Sequence, residues 1–490
     1  MEHETRVLQS LSLGGSVAEH ESDLSSYFLR TPDFQALVRG QHDLILGAKG
    51  SGKSAMFRVL MDPDFEVPEL AATVVIPAFA DDDVILLRQL FEEGSSETDF
   101  RIGWKGFFAA LAGNYLANNG GSSPDIERRL TDLGLRLETE SQWEFWRRFM
   151  SRVRSGLSGI SASGEVELPL VKAKIAIAHQ ERSGSDISLS IFDYEKQVGN
   201  LLRLVDRELQ RRGLSCWLIV DRLDEVFAGR KAVEGAALRG LLRTQSDIHS
   251  ASGSLRVKTF LRNDVLLRIT RDGGFTNLTH LRALVLELSA DDMAKIIGAR
   301  LERSEDFMEY MEGTASTQTS RRAAVNLFLP ERMEIGRDYR SGYVWLYRVS
   351  MDASGFINPR NILSIAEEAV LKQTRVIHSG REKGRAPAGH LLSGTVCADA
   401  YREVSKRRLV DTLFAEYPWL RASIERFRFN NASPGGFKPT LDDIAALQKL
   451  EGVELTNLVE ELVECGFLRR VAPQRFEIGS IYQQALAVVS

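Results

Sequence analysis

The chain has 490 residues, enough for roughly two to four domains, and 43% of them are hydrophobic, enough for ordinary globular cores. A net charge of −5 with 26% charged residues excludes a molecule-wide positive field, so any contact with nucleic acid or membrane has to be local. Cys216, Cys397 and Cys465 lie far apart with no C-x-x-C pair, which argues against a disulfide framework or a zinc site and suits a reducing cytoplasm.

The start, Met-Glu-His-Glu-Thr-Arg, is charged with no apolar run behind it, so no signal peptide is expected. The longest apolar runs are strand-length, well short of the ~20 residues a membrane helix needs, so the expectation is a cytoplasmic protein with no membrane partner. Residues 1–21 read as a polar lead-in, and 22–42 as a helical approach carrying Tyr27, Phe28, Leu29, Phe34 and Leu37. Leu44-Ile45-Leu46 then reads as a buried strand.

Residues 47–54 follow as Gly-Ala-Lys-Gly-Ser-Gly-Lys-Ser, and a helical period begins at Ala55 with Met56, Val59 and Leu60. This is a phosphate-cradling loop in strand–loop–helix context. Gly47, Gly50 and Gly52 let the backbone curl so that successive N–H groups, Ser51 included, point at phosphate oxygens. Lys53 supplies a charge near the β- and γ-phosphates, the Ser54 hydroxyl is placed for magnesium, and the helix from Ala55 aims its positive end at the anion. The expected cofactors are ATP and Mg2+.

Further along, Ala72–Ile76 reads as a second buried strand, and 84–158 as helices around Trp104, Phe107, Leu111, Trp143, Trp146 and Met150. The alternation over 165–178 reads as an inserted hairpin. Val198, Leu201, Leu202, Val205 and Leu209 have helical spacing. Trp217–Asp221 is an apolar strand ending in an acid and is expected beside the loop strand, with Asp221 in the magnesium shell and Asp224 or Glu225 as the base for the attacking water. A helix over 230–250, a strand from Val257 to Leu261 closed by Arg262-Asn263-Asp264, and a strand from Leu284 to Leu288 complete the core, with Ser289 capping the next helix. Strands alternating with helices behind a phosphate loop predict an α/β P-loop NTPase, a parallel sheet covered by helices on both faces.

Arg262 and Asn263 are placed to touch the γ-phosphate; the alternative is an ordinary solvated turn. Arg360, after Gly355-Phe-Ile-Asn-Pro, opens a helix in a block from 289 to 376 that reads as helices only, and could reach the phosphates from a helical lid. A surface arginine at a helix start is the alternative. Arg268 and Arg271 are candidates for an arginine supplied to a neighbouring subunit's nucleotide, against a solvated helix face.

The succession of Asp43–Ser54 with Ala55, Val220–Glu225, Val257–Asp264, Leu284–Leu301 and Asn358–Asn361 resembles the AAA+/STAND group of P-loop ATPases. More closely it is similar to bacterial P-loop ATPases encoded near antiphage defence systems. The resemblance threads most of residues 40–376 and implies that Lys53 and Ser54 meet phosphate and metal, that Asp221 coordinates magnesium, and that Arg262/Asn263 and Arg360 act as first and second sensors. It also implies a homo-oligomer whose nucleotide state licenses an effector. Two departures stand out. Position 222 is arginine where many such ATPases place glutamate. Fewer than about 45 residues precede the loop strand, too few for a catalytic domain, and no repeat array follows, so the expected effector, a nuclease or other toxin, is a separate chain.

The expected organisation is a lead-in (1–21), an ATPase core (22–288) with an insertion at 84–178, an all-α lid (289–376), a linker (377–393) and a terminal domain (394–490). In the last, a helix from Leu441, an apolar stripe at Leu455, Leu458, Val459, Leu462 and Val463, and short runs at Phe467–Arg470 and Arg475–Ile478 resemble a winged helix. Glu454, Glu460, Glu461 and Glu464 on its second helix would repel a phosphate backbone, which favours protein contact or nucleotide gating over DNA binding. Residues 371–410 hold nine Lys/Arg and three Asp/Glu, so nucleic acid could track this segment, with a solvated linker and helix face as the commoner alternative. The leading expectation is an ATP-hydrolysing switch that controls an effector in antiviral defence. The rival is an origin-recognition-like ATPase that binds DNA.

Overall fold

The apolar runs of the first half become a five-stranded parallel sheet of order β2-β3-β4-β1-β5: β1 Leu44–Gly47, β2 Thr73–Pro77, β3 Ser215–Val220, β4 Leu255–Arg262 and β5 Ala283–Val285. The computed structural model describes residues 2–14, 21, 23–79, 96–119, 123–137, 191–223, 231–271, 281–314, 320–335, 338–353, 355, 358–380, 382, 384–430 and 438–488. The chain forms two compact units, residues 32–46 with 56–285, and residues 1–31 with 47–55 and 286–490.

In the sheet unit, β3 registers Val75 of β2 against Trp217 and Val257 of β4 against Leu218, and β1 registers Ile45 against Leu284 of β5. The acidic strand β3 is therefore not the neighbour of the loop strand, as the sequence suggested; β4 lies between them. Lys258 supplies the physical reason. Although charged, it sits fully buried in mid-strand. Its ammonium donates to the His42 carbonyl and to Asp43 Oδ1 at 2.7 Å, just ahead of β1, and lies 4.3 Å from the centre of the Trp217 ring on β3. A side chain that joins both neighbours has to come from the strand between them.

Helices cover this sheet. Glu97–Asn118 opens with a Ser96/Asp99 capping box and crosses Lys231–Ala251, where the Trp104 indole donates to the Ala237 carbonyl at 3.0 Å and the Thr244 hydroxyl to the Arg101 carbonyl at 3.1 Å. Ile191–Arg211 buries Val198, Leu201, Val205 and Leu209 of the stripe its sequence period predicts, with Leu202 partly buried beside them. The hairpin expected at 165–178, and Trp143, Trp146 and Met150, lie outside the described residues. The fifth strand is shorter and earlier than the run Leu284–Leu288 implied.

The other unit is mainly helical. Its polar start folds as a helix, Glu2–Ser10, that buries Val7 and Leu8 in a core running from Met293 to Leu486. Ser289 caps Ala290–Leu301 through a capping box with Asp292. The stretch 289–376 is not purely helical: Met333–Ile335 and Asp338–Arg340 pair as an antiparallel hairpin, three residues a side and too short for a period to register in the sequence. Residues 377–393 are packed as well as connecting. The Pro359–His378 helix extends into them, and the buried Leu391 and Leu392 donate their amides to Leu327 and Phe328 carbonyls at 3.0 and 3.2 Å. At the end, Leu441–Gln448 and Gly452–Glu464 precede an antiparallel pair, Leu468–Ala472 with Arg475–Ile478. Among the described residues no helix is long and apolar enough to cross a membrane.

Candidate functional site

The loop starts where β1 ends at Gly47 and finishes where the helix Lys53–Met61 begins. Gly50 and Gly52 have φ of +81° and +99°, a left-handed backbone that side chains rarely accept, and this curls the loop. Gly50 is also pinned sterically: a Cβ there would stand 2.5 Å from Asn358 Oδ1. Beside Gly52 the space is open. The Lys53 ammonium folds back and donates to the Gly47 and Ala48 carbonyls, each at 2.8 Å. Ser51 is buried, and its hydroxyl has no hydrogen-bond partner among the described residues. Positive-φ glycines, an ammonium held by neutral carbonyls, an orphan hydroxyl and a helix N-terminus make a donor set that suits a phosphate, whose charged oxygens accept more strongly than carbonyls.

Asn358, 3% exposed, ties this loop to the lid helix. Its Nδ2 donates to the Lys49 carbonyl at 2.7 Å, while its Oδ1 accepts from the Arg360 amide at 3.0 Å and so caps Pro359–His378. Arg360 thus stands in the first turn of a helix whose cap holds the loop. The Lys49 side chain pairs with Glu416. Lys49 and Glu416 were not singled out in the sequence, and Asn358 only as a helix start. The Asn-Pro cap signature was the one signal available.

At the carboxyl edge of the sheet, β3 delivers Asp221, 8% exposed. The next residue, Arg222, has φ +60°, a left-handed backbone without glycine, at a cost of about 1–2 kcal/mol. Strain of this kind gathers at functional turns. Asp224 and Glu225 lie outside the described residues. Arg262, at the end of β4, grips Asp264 with Nε–Oδ1 3.0 Å and Nη2–Oδ2 2.9 Å. Burial pushes the Asp264 carboxyl up, but the Arg262 guanidinium outweighs it and holds the group below the usual carboxylate range. Asn263 begins the helix Asn263–Arg271, and its buried Oδ1 has no hydrogen-bond partner among the described residues. Arg268 donates from Nε and Nη2 to Oε2 of the buried Glu234 at 3.1 and 2.6 Å; the Arg271 side chain lies outside the described residues.

The structure therefore collects the loop, Asn358 and Arg360 in one unit, and Asp221, Arg262 and Asn263 along the carboxyl edge of the sheet in the other. No group of three or more His, Cys, Asp or Glu able to hold a metal occurs among the described residues. Burial pushes the Cys216 and Cys397 thiols up to about 12, so neither is a thiolate at neutral pH. Around the terminal hairpin Arg469 and Lys438 share Glu477, and Arg470 pairs with Glu460 at 2.6 Å. Within 371–410, Lys372 and Arg407 share Glu368, and Arg402 pairs with Asp399.

No family model and no curated protein matches the sequence. Solved structures similar to the chain include the following two. The Walker-type ATPase of Pyrococcus abyssi is 11% identical with a TM-score of 0.36, over 94% of this chain and 95% of that one. The Aeropyrum pernix ORC2 protein, solved in ADPNP–ADP complexes, is 11% identical with a TM-score of 0.29, over 92% of this chain and 89% of that one. At these scores the reading rests on the chain's own geometry.

Proposed function

We propose that this chain is a magnesium-dependent ATPase that acts as a switch, oligomerising with nucleotide and controlling a separate effector in bacterial antiviral defence. The observation that carries the nucleotide reading is the loop 47–54: two left-handed glycines, the Lys53 ammonium turned into the curl, and a helix N-terminus behind it. Lys53 and the loop amides bind the phosphates. Ser54 and Asp221 would hold a magnesium ion arriving with the nucleotide, which would lower the charge on the phosphate oxygens. Asp224 or Glu225 takes the proton of the attacking water, and Arg262/Asn263 and Arg360 respond to loss of the terminal phosphate.

The effector role draws on the resemblance to defence-associated ATPases. Control of a partner is preferred to DNA loading because Glu454, Glu460, Glu461 and Glu464 on the helix before the hairpin would repel a phosphate backbone. A titration with MgATP tests the nucleotide reading. Lys53→Ala removes a charged hydrogen-bond donor and should weaken binding ~10- to 100-fold; unchanged affinity rejects the loop as the site.

A further inference from the structure

Lys49 is a second lysine in the phosphate loop, and both of its ends are occupied from the same helical unit. Asn358 holds its carbonyl, and Glu416 holds its ammonium. The pair is partly shielded from water, the side chains being 39% and 25% exposed. Glu416 follows a π-helical stretch, Arg408–Phe414, anchored by the buried Leu409, Leu413 and Phe414. A π turn is rare, and such turns are found frequently at functional sites. Its first residue, Arg408, donates from Nη1 to Thr412 Oγ1 at 3.3 Å, while its buried Nε has no hydrogen-bond partner among the described residues. One short segment thus places a carboxylate on the phosphate loop.

We propose that residues 408–416 read the nucleotide state, with Glu416 as a built-in counter-anion that a bound triphosphate displaces from Lys49. The inference rests on the nucleotide reading of the loop. Before nucleotide arrives, Glu416 neutralises Lys49. A triphosphate in the loop brings more negative charge to the same cation and repels the carboxylate. Glu416 is a positioning residue, acting on the ligand through Lys49. The freed 408–416 segment then carries the signal into the terminal region that follows it.

The test uses the full chain with MgATP. Glu416→Gln removes the competitor and should bind MgATP about two- to fivefold more tightly, the worth of a partly exposed ion pair. Against a Lys49→Gln background the same change should have no effect. Amide exchange across 408–416 should speed up in the native chain on saturation with MgATP, and stay unchanged in Lys53→Ala. A merely structural Glu416 would weaken binding when neutralised, so weaker or equal affinity in Glu416→Gln overturns the proposal, provided the native chain binds and Lys53→Ala does not. If Lys53→Ala binds like the native chain, the loop assignment fails first and takes this inference with it. Should Glu416→Gln not fold, the exchange experiment decides alone, and unchanged protection at 408–416 with saturating MgATP overturns the proposal.

Discussion

Asn358 bonds in two directions at once: its Nδ2 donates to the Lys49 carbonyl at 2.7 Å, and its Oδ1 accepts from the Arg360 amide at 3.0 Å. The loop and the first turn of the lid helix are therefore fixed to one planar amide, and Gly50 keeps clear of it by having no Cβ. A shift of the loop on binding nucleotide would move the start of this helix with it.

Replacing Asn358 separates the two bonds. Asn358→Asp keeps the cap but buries a negative charge against the Lys49 carbonyl in place of a donor, so both thermal stability and MgATP affinity should fall. Asn358→Ala loses both bonds, and unfolding should also shift by the ~1 kcal/mol of a missing cap. Calorimetry with nucleotide titration on both variants checks this; equal affinity in all three chains removes the amide from the coupling.

The buried pair Lys258–Asp43 fixes the strand order. Removing one partner strands a charge inside the sheet unit, so Asp43→Ala should cost about 3–5 kcal/mol, read from the urea midpoint of that unit. His249 and Arg282 also face Asp43, each at 3.2 Å, and add to the loss.

Turnover should separate from binding at the two acids after β3. Glu225→Gln is expected to hold MgATP with native affinity and release phosphate ~100-fold more slowly, the worth of a positioned base. Normal release there, together with loss in Asp224→Asn, moves the base to residue 224.

A pH dependence follows from Glu367, on the lid helix. Burial, with the nearby Glu21 carboxylate, raises it from 4.5 to about 7 against the pull of Arg300 and Arg407. The folded chain binds this proton more tightly than the unfolded one, so the contribution is complete below pH 4.5 and is lost as pH rises through about 7. Glu367→Gln should flatten the fall in melting temperature between pH 5 and 8; an unchanged slope removes Glu367 as its source.

The loop was legible because its chemistry is local. Glycines at 47, 50 and 52 with Lys53 and Ser54 need no distant partner to be recognised, and the burial of β3 showed in the run Trp217–Val220. The neighbour order of the strands was not legible. Apolar runs report burial, whereas the order is set by Lys258, a residue that looks out of place in a strand until Asp43, more than 200 positions earlier, is seen beside it. Glu416 was hidden for the same reason, since its partner Lys49 lies 367 positions away.

The cysteines make the chain convenient for optical work. Cys216 and Cys397 are enclosed and held protonated, whereas Cys465, where the helix Gly452–Glu464 ends, is partly open to solvent. A maleimide dye added to the native chain should therefore attach at that one place. Its emission would follow the carboxyl-terminal hairpin through a nucleotide cycle with no engineered substitution.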